Sequence, residues 1–293
     1  MYKNIAANKR NTVFLMIGFV LLVSAIGFLF GWANDDYFLT VYFLAFSLLY
    51  VLFQYFLASR LAVALTGAKK IEKKDNRRLY NIVENLSITT GLPMPDVYII
   101  EDSAPNAFAS GRDPKHALVC ATTGLLDIMD DRELTAVMAH EMSHVKNYDI
   151  RVSTIVFGLV SLIGVISDIG WRFAFRGRSR NSGDNSSPIG IILFVITAIV
   201  APIVAALTQF AVSREREYLA DMSAAHITRY PEGMISALKK LDTHSRPMRA
   251  QNPATEAMYI NNPLEKGFLS NLFSTHPPIE KRIKRLEDAK TKF

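Results

Sequence analysis

Charged residues are missing from two long stretches near the amino end of the chain, 11–34 and 37–59, and from two later ones, 152–167 and 185–213. Each of the first two is long enough to cross a hydrocarbon layer of ~30 Å as a helix, so the pattern predicts two transmembrane helices within residues 1–67. No small-residue cleavage site follows the first run and a second span comes at once, so it reads as an uncleaved anchor. The third run would reach about 24 Å at a rise of ~1.5 Å per residue, which is marginal. The fourth is ample, with Pro188 near its start and Pro202 inside, where a kink is expected. Residues 151–213 therefore read as a hydrophobic pair that either spans the bilayer, as the length of the fourth run favours, or dips in as a hairpin without crossing.

The polar stretches, 68–150 and 214–293, predict one domain built in two parts. The first part opens with a helix over 75–90, carrying an apolar stripe of Leu79, Ile82, Val83 and Leu86 and stopped by Gly91 and Pro93. Strand candidates follow at 96–101, 106–111 and 116–121, with a turn at Gly111-Arg112-Asp113-Pro114-Lys115 between the last two. Asp130 and Glu133 then predict the capped start of a helix running to about residue 147, anchored by Leu134, Met138, Met142 and Val145. The second part is helical and rich in loops. The fold class is a mainly α-helical multi-pass membrane protein with an α+β domain.

Composition agrees with the membrane class: half of the 293 residues are hydrophobic and the mean hydropathy is positive. The net charge of +6 carries no nucleic-acid-binding motif with it, and the basic residues flank the apolar runs. They read as topology signals. Lys3, Lys9 and Arg10 precede the first run; Arg60, Lys69, Lys70, Lys73, Lys74, Arg77 and Arg78 follow the second; the turn between holds Asp35 and Asp36. Positive-inside logic puts the amino terminus and the polar domain in the cytoplasm. Arg172, Arg176, Arg178 and Arg180, between the later runs, go against that rule for an outside loop. The single cysteine, Cys120, excludes an intrachain disulfide and a multi-cysteine zinc site, and reads as a small buried strand residue.

The chemistry concentrates in His140-Glu141-Met142-Ser143-His144. Residues four apart share a helix face, so both imidazoles can bind one metal ion, and Glu141 beside them can take a proton from a water there. Such a match arises by chance on the order of once per hundred chains of this kind. Catalytic zinc needs a third protein ligand. Glu217 lies just after the fourth run, at about the depth that His144 has before the third. It shares a face with Asp221, with Ala220 and Ala224 leaving room for close packing. That makes Glu217 the candidate third ligand and Asp221 the carboxylate that fixes a ligand imidazole. A solvated charge paired with Arg214 or another neighbour is the competing reading of Glu217. Two His and a carboxylate favour zinc over other divalent ions.

These motifs, followed by His276-Pro277-Pro278 with Arg282, and preceded by Asn106-Ala107-Phe108-Ala109, resemble the HtpX family of bacterial membrane zinc endopeptidases, relatives of the CAAX prenyl endopeptidases. The resemblance covers the whole chain. It implies one zinc per chain on His140, His144 and Glu217, with Glu141 as general base and Asp221 in support. His276 and Arg282 would lie at the site's edge, where they stabilise the charge on the scissile carbonyl oxygen. Residues 106–109 would be an edge strand that aligns substrate by strand addition. It also implies a multi-pass protein of the bacterial cell membrane whose cytoplasmic, zincin-like α+β metalloprotease domain hydrolyses misfolded or damaged membrane proteins and other unfolded polypeptides. The CAAX relatives carry more spans, which argues against prenyl processing. Taken alone, His276 reads as a loop histidine, Arg282 as a surface charge, and residues 106–109 as an ordinary packed strand. His116, His226 and His244 lack partner spacing and read as structural. The stretch 243–275, rich in Asn and Pro, is a candidate lid. A catalytically silent membrane scaffold with a structural metal site is the alternative, and the intact Glu141 argues against it. A transporter is disfavoured because the apolar runs hold no charge.

Overall fold

The computed structural model describes residues 2–176, 213–249, 255, 258–261 and 277–289. Two helices, α1 (Tyr2–Ala33) and α2 (Phe38–Thr66), pack against each other as an antiparallel pair. Their turn is tight: Asp36 N–H donates to the Gly31 carbonyl at 2.9 Å, and a Cβ on Gly31 would sit 2.8 Å from the Asp36 carbonyl oxygen. Both helices are long and apolar enough to cross a membrane. Phe14, Leu21, Trp32, Phe38, Tyr42 and Leu49 point outward, each at least 64% exposed. What α2 buries is small or polar instead: Ser47, Gln54, Ala58, Ala62 and Thr66. That inverted distribution suits helices whose solvent is lipid, because lipid offers large apolar side chains no reason to turn inward.

After α2 the chain enters a four-stranded sheet of order β1-β2-β4-β3, formed by β1 (Lys69–Lys70), β2 (Asp96–Ile100), β3 (Ala107–Gly111) and β4 (Ala117–Thr122). The β2–β4 pair is parallel and the other two are antiparallel. Helix α3 (Arg77–Thr90) connects β1 to β2. It starts one residue after its cap Asn76, whose side chain accepts from Leu79 N–H, and ends at left-handed Gly91. The strands fall where the alternation put them, within a residue or so. Strand β1 and the short α4 (Thr123–Ile128) have no signal in the pattern, being too short for periodicity.

Both faces of the sheet are covered, which is why β3 and β4 are buried along their whole length. Ala107, Ala109, Val119 and Ala121 join Leu79, Val83, Leu134 and Met138 on one side. Phe108, Leu118 and Cys120 join Leu15, Ala62, Val152 and Val156 on the other. The second layer is the near end of the membrane helices, completed by α6 (Asp149–Arg176). The expected 152–167 segment is therefore part of a continuous helix of about 42 Å at ~1.5 Å per residue. It begins earlier and ends later than the uncharged run. Gly158 lets α2 come close: the Gln54 amide occupies the space a Cβ would need, Gln54 donates to the Thr154 carbonyl at 3.3 Å, and the Tyr50 hydroxyl donates to the Gly158 carbonyl at 2.7 Å. The run 185–213 lies outside the described residues, apart from Ser213.

Helix α5 (Asp131–Asn147) packs under the sheet. Its capping box is complete: Asp130 accepts from Arg132 and Glu133 N–H at 2.8 and 2.9 Å, and Glu133 accepts from Asp130 N–H at 2.8 Å. The far side of α5 is covered by α7 (Arg214–Thr228) and α8 (Pro231–Thr243), and α9 (Ile279–Ala289) closes over those two. Glu133 ties the layers, since it also accepts from Lys240 Nζ and Ser236 Oγ, both at 2.6 Å. Burial pushes its carboxyl up, but Lys240, Ser236 and the Asp130 N–H together hold it below the usual range. A group held low contributes stability above its unfolded pKa and loses it as pH falls through the folded one. Glu133→Ala is expected to cost about 1–3 kcal/mol, seen as a lower thermal midpoint of the detergent-solubilised protein at pH 7. The gap to wild type should narrow below roughly pH 4. Equal midpoints at pH 7 would deny Glu133 this tying role.

Candidate metal centre

One turn of α5 separates His140 from His144, and the two rings meet edge to face with centroids 4.7 Å apart. Ala220 and Ala224 on α7 are fully buried, so α7 can come close to α5 and present Glu217 to both rings. The two Nε2 atoms lie 3.1 Å apart; Glu217 Oε2 is 3.6 Å from that of His140, and Oε1 is 3.4 Å from that of His144. Ligand atoms at ~2.0–2.1 Å from one tetrahedral ion are separated by about 3.3 Å. The three side chains thus fit a divalent ion: three electron-pair donors face a common point at the spacing that such an ion sets. His140 and Glu217 are buried and His144 is nearly so.

Carboxylates fix the far side of each ring. Asp221 Oδ1 lies 3.0 Å from His140 Nδ1, and Asp149 Oδ2 lies 3.0 Å from His144 Nδ1. His144 Nδ1 hydrogen-bonds Asp149, and Asp221 places a negative charge beside His140 Nδ1; both contacts favour a proton on Nδ1 and leave the Nε2 lone pair for the centre. Behind Asp221 sits Arg282, only 1% exposed, donating from Nε at 2.8 Å and from Nη2 at 2.7 Å; its Nη1 is 3.8 Å from Glu217. Burial pushes Asp221 up, yet Arg282 more than offsets this and holds the carboxyl low. Burial likewise pulls His140 down, but Asp221 and Glu217 outweigh it and raise the metal-free imidazole to about 9. His144 is also raised: burial pulls it down, and Asp149 and Glu217 more than compensate.

Glu141, 2% exposed, lines the same cleft, together with Ala109, Ile150, Ser153, Arg216 and residues 258–260. The cleft volume is about 30 Å³, room for a water but not for a peptide. Of the strand 106–109, Ala109 reaches this cleft, whereas Phe108 turns to the other face and meets the Tyr259 ring edge-on at 5.1 Å. Strand β3 is at the sheet's edge, as expected, but the chain's own residues lie along it. Tyr259 bridges Phe108, Ile260 N–H donates to the Ala107 carbonyl at 2.9 Å, and the Asn106 amide exchanges hydrogen bonds with the Asn261 backbone at 2.8 and 3.1 Å. These residues belong to the candidate lid stretch.

Arg282 is not a surface charge, nor does it sit at the rim of the cleft: it is buried behind Asp221, where its partners are the carboxylates of the centre. His276 lies outside the described residues. His116, His226 and His244 are exposed and take no part. Sequence reasoning missed Asp149. Its signal was weak, an acidic residue opening the next helix, and it acquires meaning only because Tyr148 adopts a left-handed conformation (φ 62°) that joins α5 to α6.

Residues 73–290 match the model of Peptidase family M48. A protease HtpX homolog of Tropheryma whipplei (strain TW08/27) is 54% identical over 294 residues, covering all of both chains. Another, of Streptococcus gordonii (strain Challis), is 43% identical over 294 residues, covering 98% of this chain and 99% of that one. Among solved structures, the crystal structure of S. mikatae Ste24p aligns with a TM-score of 0.51 and 19% identity, over 96% of this chain and 64% of that one. At that identity the likeness speaks for the fold alone.

A proton on His140 has to leave before a metal ion can take its place. Titrating the metal-stripped protein with zinc at pH 6, 7 and 8 is expected to give an affinity that rises with pH, since His140 in the empty site stays protonated up to about 9. Glu217→Gln should weaken binding at every pH by tenfold or more. An affinity flat across this range, or unmoved by Glu217→Gln, would exclude these side chains as the ligands.

Proposed function

This chain belongs to peptidase family M48 and is a membrane-bound metalloprotease, and from that premise we infer an endopeptidase that holds one zinc ion on His140, His144 and Glu217. The carrying observation is the convergence of those three donor groups at tetrahedral spacing, with a carboxylate behind each imidazole. Zinc bound there supplies Lewis acidity, polarising a scissile carbonyl and bringing the pKa of a water to near 7.

The chain's own groups do the rest. Glu141 lines the cleft beside the ligands, where its carboxylate takes a proton from the attacking water and passes it to the leaving amine. Asp221 and Asp149 keep both imidazoles in the tautomer that faces the centre. Arg282 compensates the negative charge gathered by Asp221 and Glu217, so that the buried carboxylates stay ionised. His276, carried over from the family resemblance, is assigned to the oxyanion.

Substrates are extended polypeptides, unfolded or membrane-embedded, added as a strand at β3. Since residues 258–261 lie along that edge, an incoming chain has to displace them, which would spare folded proteins. For orientation, α1 and α2 span the bilayer, with α6 and residues 185–213 as a second pair. The centre touches Asn8, beside Lys9 and Arg10 at the amino end of α1, which supports a cytoplasmic site in a bacterial cell membrane.

Casein hydrolysis by the purified protein in detergent tests this reading. Glu141→Gln is expected to lower the rate by roughly 10²–10⁴-fold while zinc remains bound, and a chelator should abolish it. Wild type and Glu141→Gln acting alike with zinc bound would point to a silent scaffold. Ile260→Pro, which removes the N–H donated to Ala107, is expected to raise the rate severalfold. A rate that falls instead would mean that the 258–261 strand shapes the site for substrate.

A further inference from the structure

Asn8 is out of place by burial. It lies in the polar amino end of α1, next to Lys9, Arg10 and Asn11, yet it is only 3% exposed, and it is more than a hundred residues away in sequence from every group it meets outside α1. Its amide is used in full. Nδ2 donates one hydrogen to the Asn147 carbonyl at 2.9 Å and the other to Asp149 Oδ1 at 2.7 Å. Its Oδ1 accepts from Arg216 Nη1 at 3.2 Å. Only this orientation of the amide works, because turning it over would set an oxygen against two acceptors and an NH₂ against a guanidinium. The second carboxylate oxygen of Asp149 is the one 3.0 Å from His144 Nδ1. Three residues therefore stand in line: Asn8 on the first membrane helix, Asp149 at the start of α6, and His144 on α5.

We propose that Asn8 is a positioning residue for the metal centre: it fixes the Asp149 carboxylate, which in turn fixes the His144 imidazole. This rests on the reading of His144 as a metal ligand. The physical need is plain. Asp149 begins a helix, and its side chain has several rotamers; only one aims Oδ2 at His144. Asn147 is the last residue of α5 and Asp149 the first of α6, so one amide pins both sides of the Tyr148 junction. Lys9 over the Tyr148 ring at 4.6 Å, with Arg151 over the same ring at 5.0 Å, seats α1 at that junction independently of Asn8. The docking of α1 thus does not need the amide, whereas Asp149 Oδ1 takes its short hydrogen bond from Asn8, with Arg216 Nη1 farther off at 3.6 Å. The first membrane helix is part of the catalytic apparatus as well as an anchor.

Zinc affinity of the full-length protein, measured in detergent by competition with a chromophoric chelator, tests the proposal. Four variants are compared: Asn8→Leu, Asn8→Asp, Asp149→Asn, and the double Asn8→Leu/Asp149→Asn. Asp149→Asn is expected to weaken binding roughly 10- to 100-fold, and Asn8→Leu by about tenfold. Asn8→Asp, with the same shape but no donors, should move in the same direction, and guards against a packing defect in the leucine variant. The double variant should bind no more weakly than Asp149→Asn alone, because a group that acts through Asp149 has nothing left to act on. A merely structural role for Asn8 would instead add its loss to that of Asp149→Asn. Such additivity, or wild-type zinc affinity in both Asn8→Leu and Asn8→Asp, would overturn the proposal. No zinc bound by the wild type would overturn the metal-centre reading itself, an outcome distinct from tight binding that Asn8 does not affect.

Discussion

A guanidinium out of reach of water lies beneath the centre of this protein, and the arrangement around it follows from that charge. Arg282 is tolerable there because Asp221 takes it with two hydrogen bonds and Glu217 is near its third nitrogen. The two carboxylates in turn are tolerable because Arg282 is present. In this arrangement Asp221 Oδ1 is shared between Arg282 and His140, and the Glu217 carboxylate faces the rings. The pairing also explains why α9, at the far end of the chain, packs against α7 and α8 near the catalytic helix. Its apolar contact runs through Leu286, with Ile279 and Ile283 packed beside it, and the buried ion pair adds a directional constraint on where it sits.

The parts of this design that were legible in the sequence are those governed by local rules. The capping box of α5, the four-residue spacing of the histidines, and the face shared by Glu217 and Asp221 are all properties of a single helix, and a helix has one geometry. The strands were legible for a similar reason: apolar residues at period two between turn residues have few other outcomes. Arg282 was placed near the site only by resemblance, and at its rim. Nothing in Glu280-Lys281-Arg282-Ile283-Lys284-Arg285 marks one of four basic residues as the buried one, because that depends on which face α9 turns toward α7. Asp149 and Asn8 failed for the same cause. Their roles exist only between elements, and Asn8, beside Lys9 and Arg10, has the pattern of an ordinary polar flank to the first apolar run.

The membrane layer follows a different logic from the domain it supports. In the sheet and α5, large apolar side chains point inward, while α1 and α2 turn many of theirs outward, α1 burying Leu15 and Phe19, and close approach is left to Gly158, Ala58 and Ala62. The Gln54 amide N–H and the Tyr50 hydroxyl donate to carbonyls of α6, so the helices are joined by directional contacts where hydrophobic burial has no sign. The two regimes meet at the β3–β4 face. Phe108, Leu118 and Cys120 rest on Ala62, Val152 and Val156, and the sheet is in effect the floor on which the helices stand.

The left-handed Tyr148 is the whole of the connection between α5 and α6. With no loop there, this one residue sets the angle at which α6 leaves the catalytic helix. An inserted or deleted residue finds no loop to absorb it, and either would move Asp149 away from His144. Among the connections between described helices, this one leaves no room for variation in length, so it is where circular permutation, tag insertion and domain grafting would each fail.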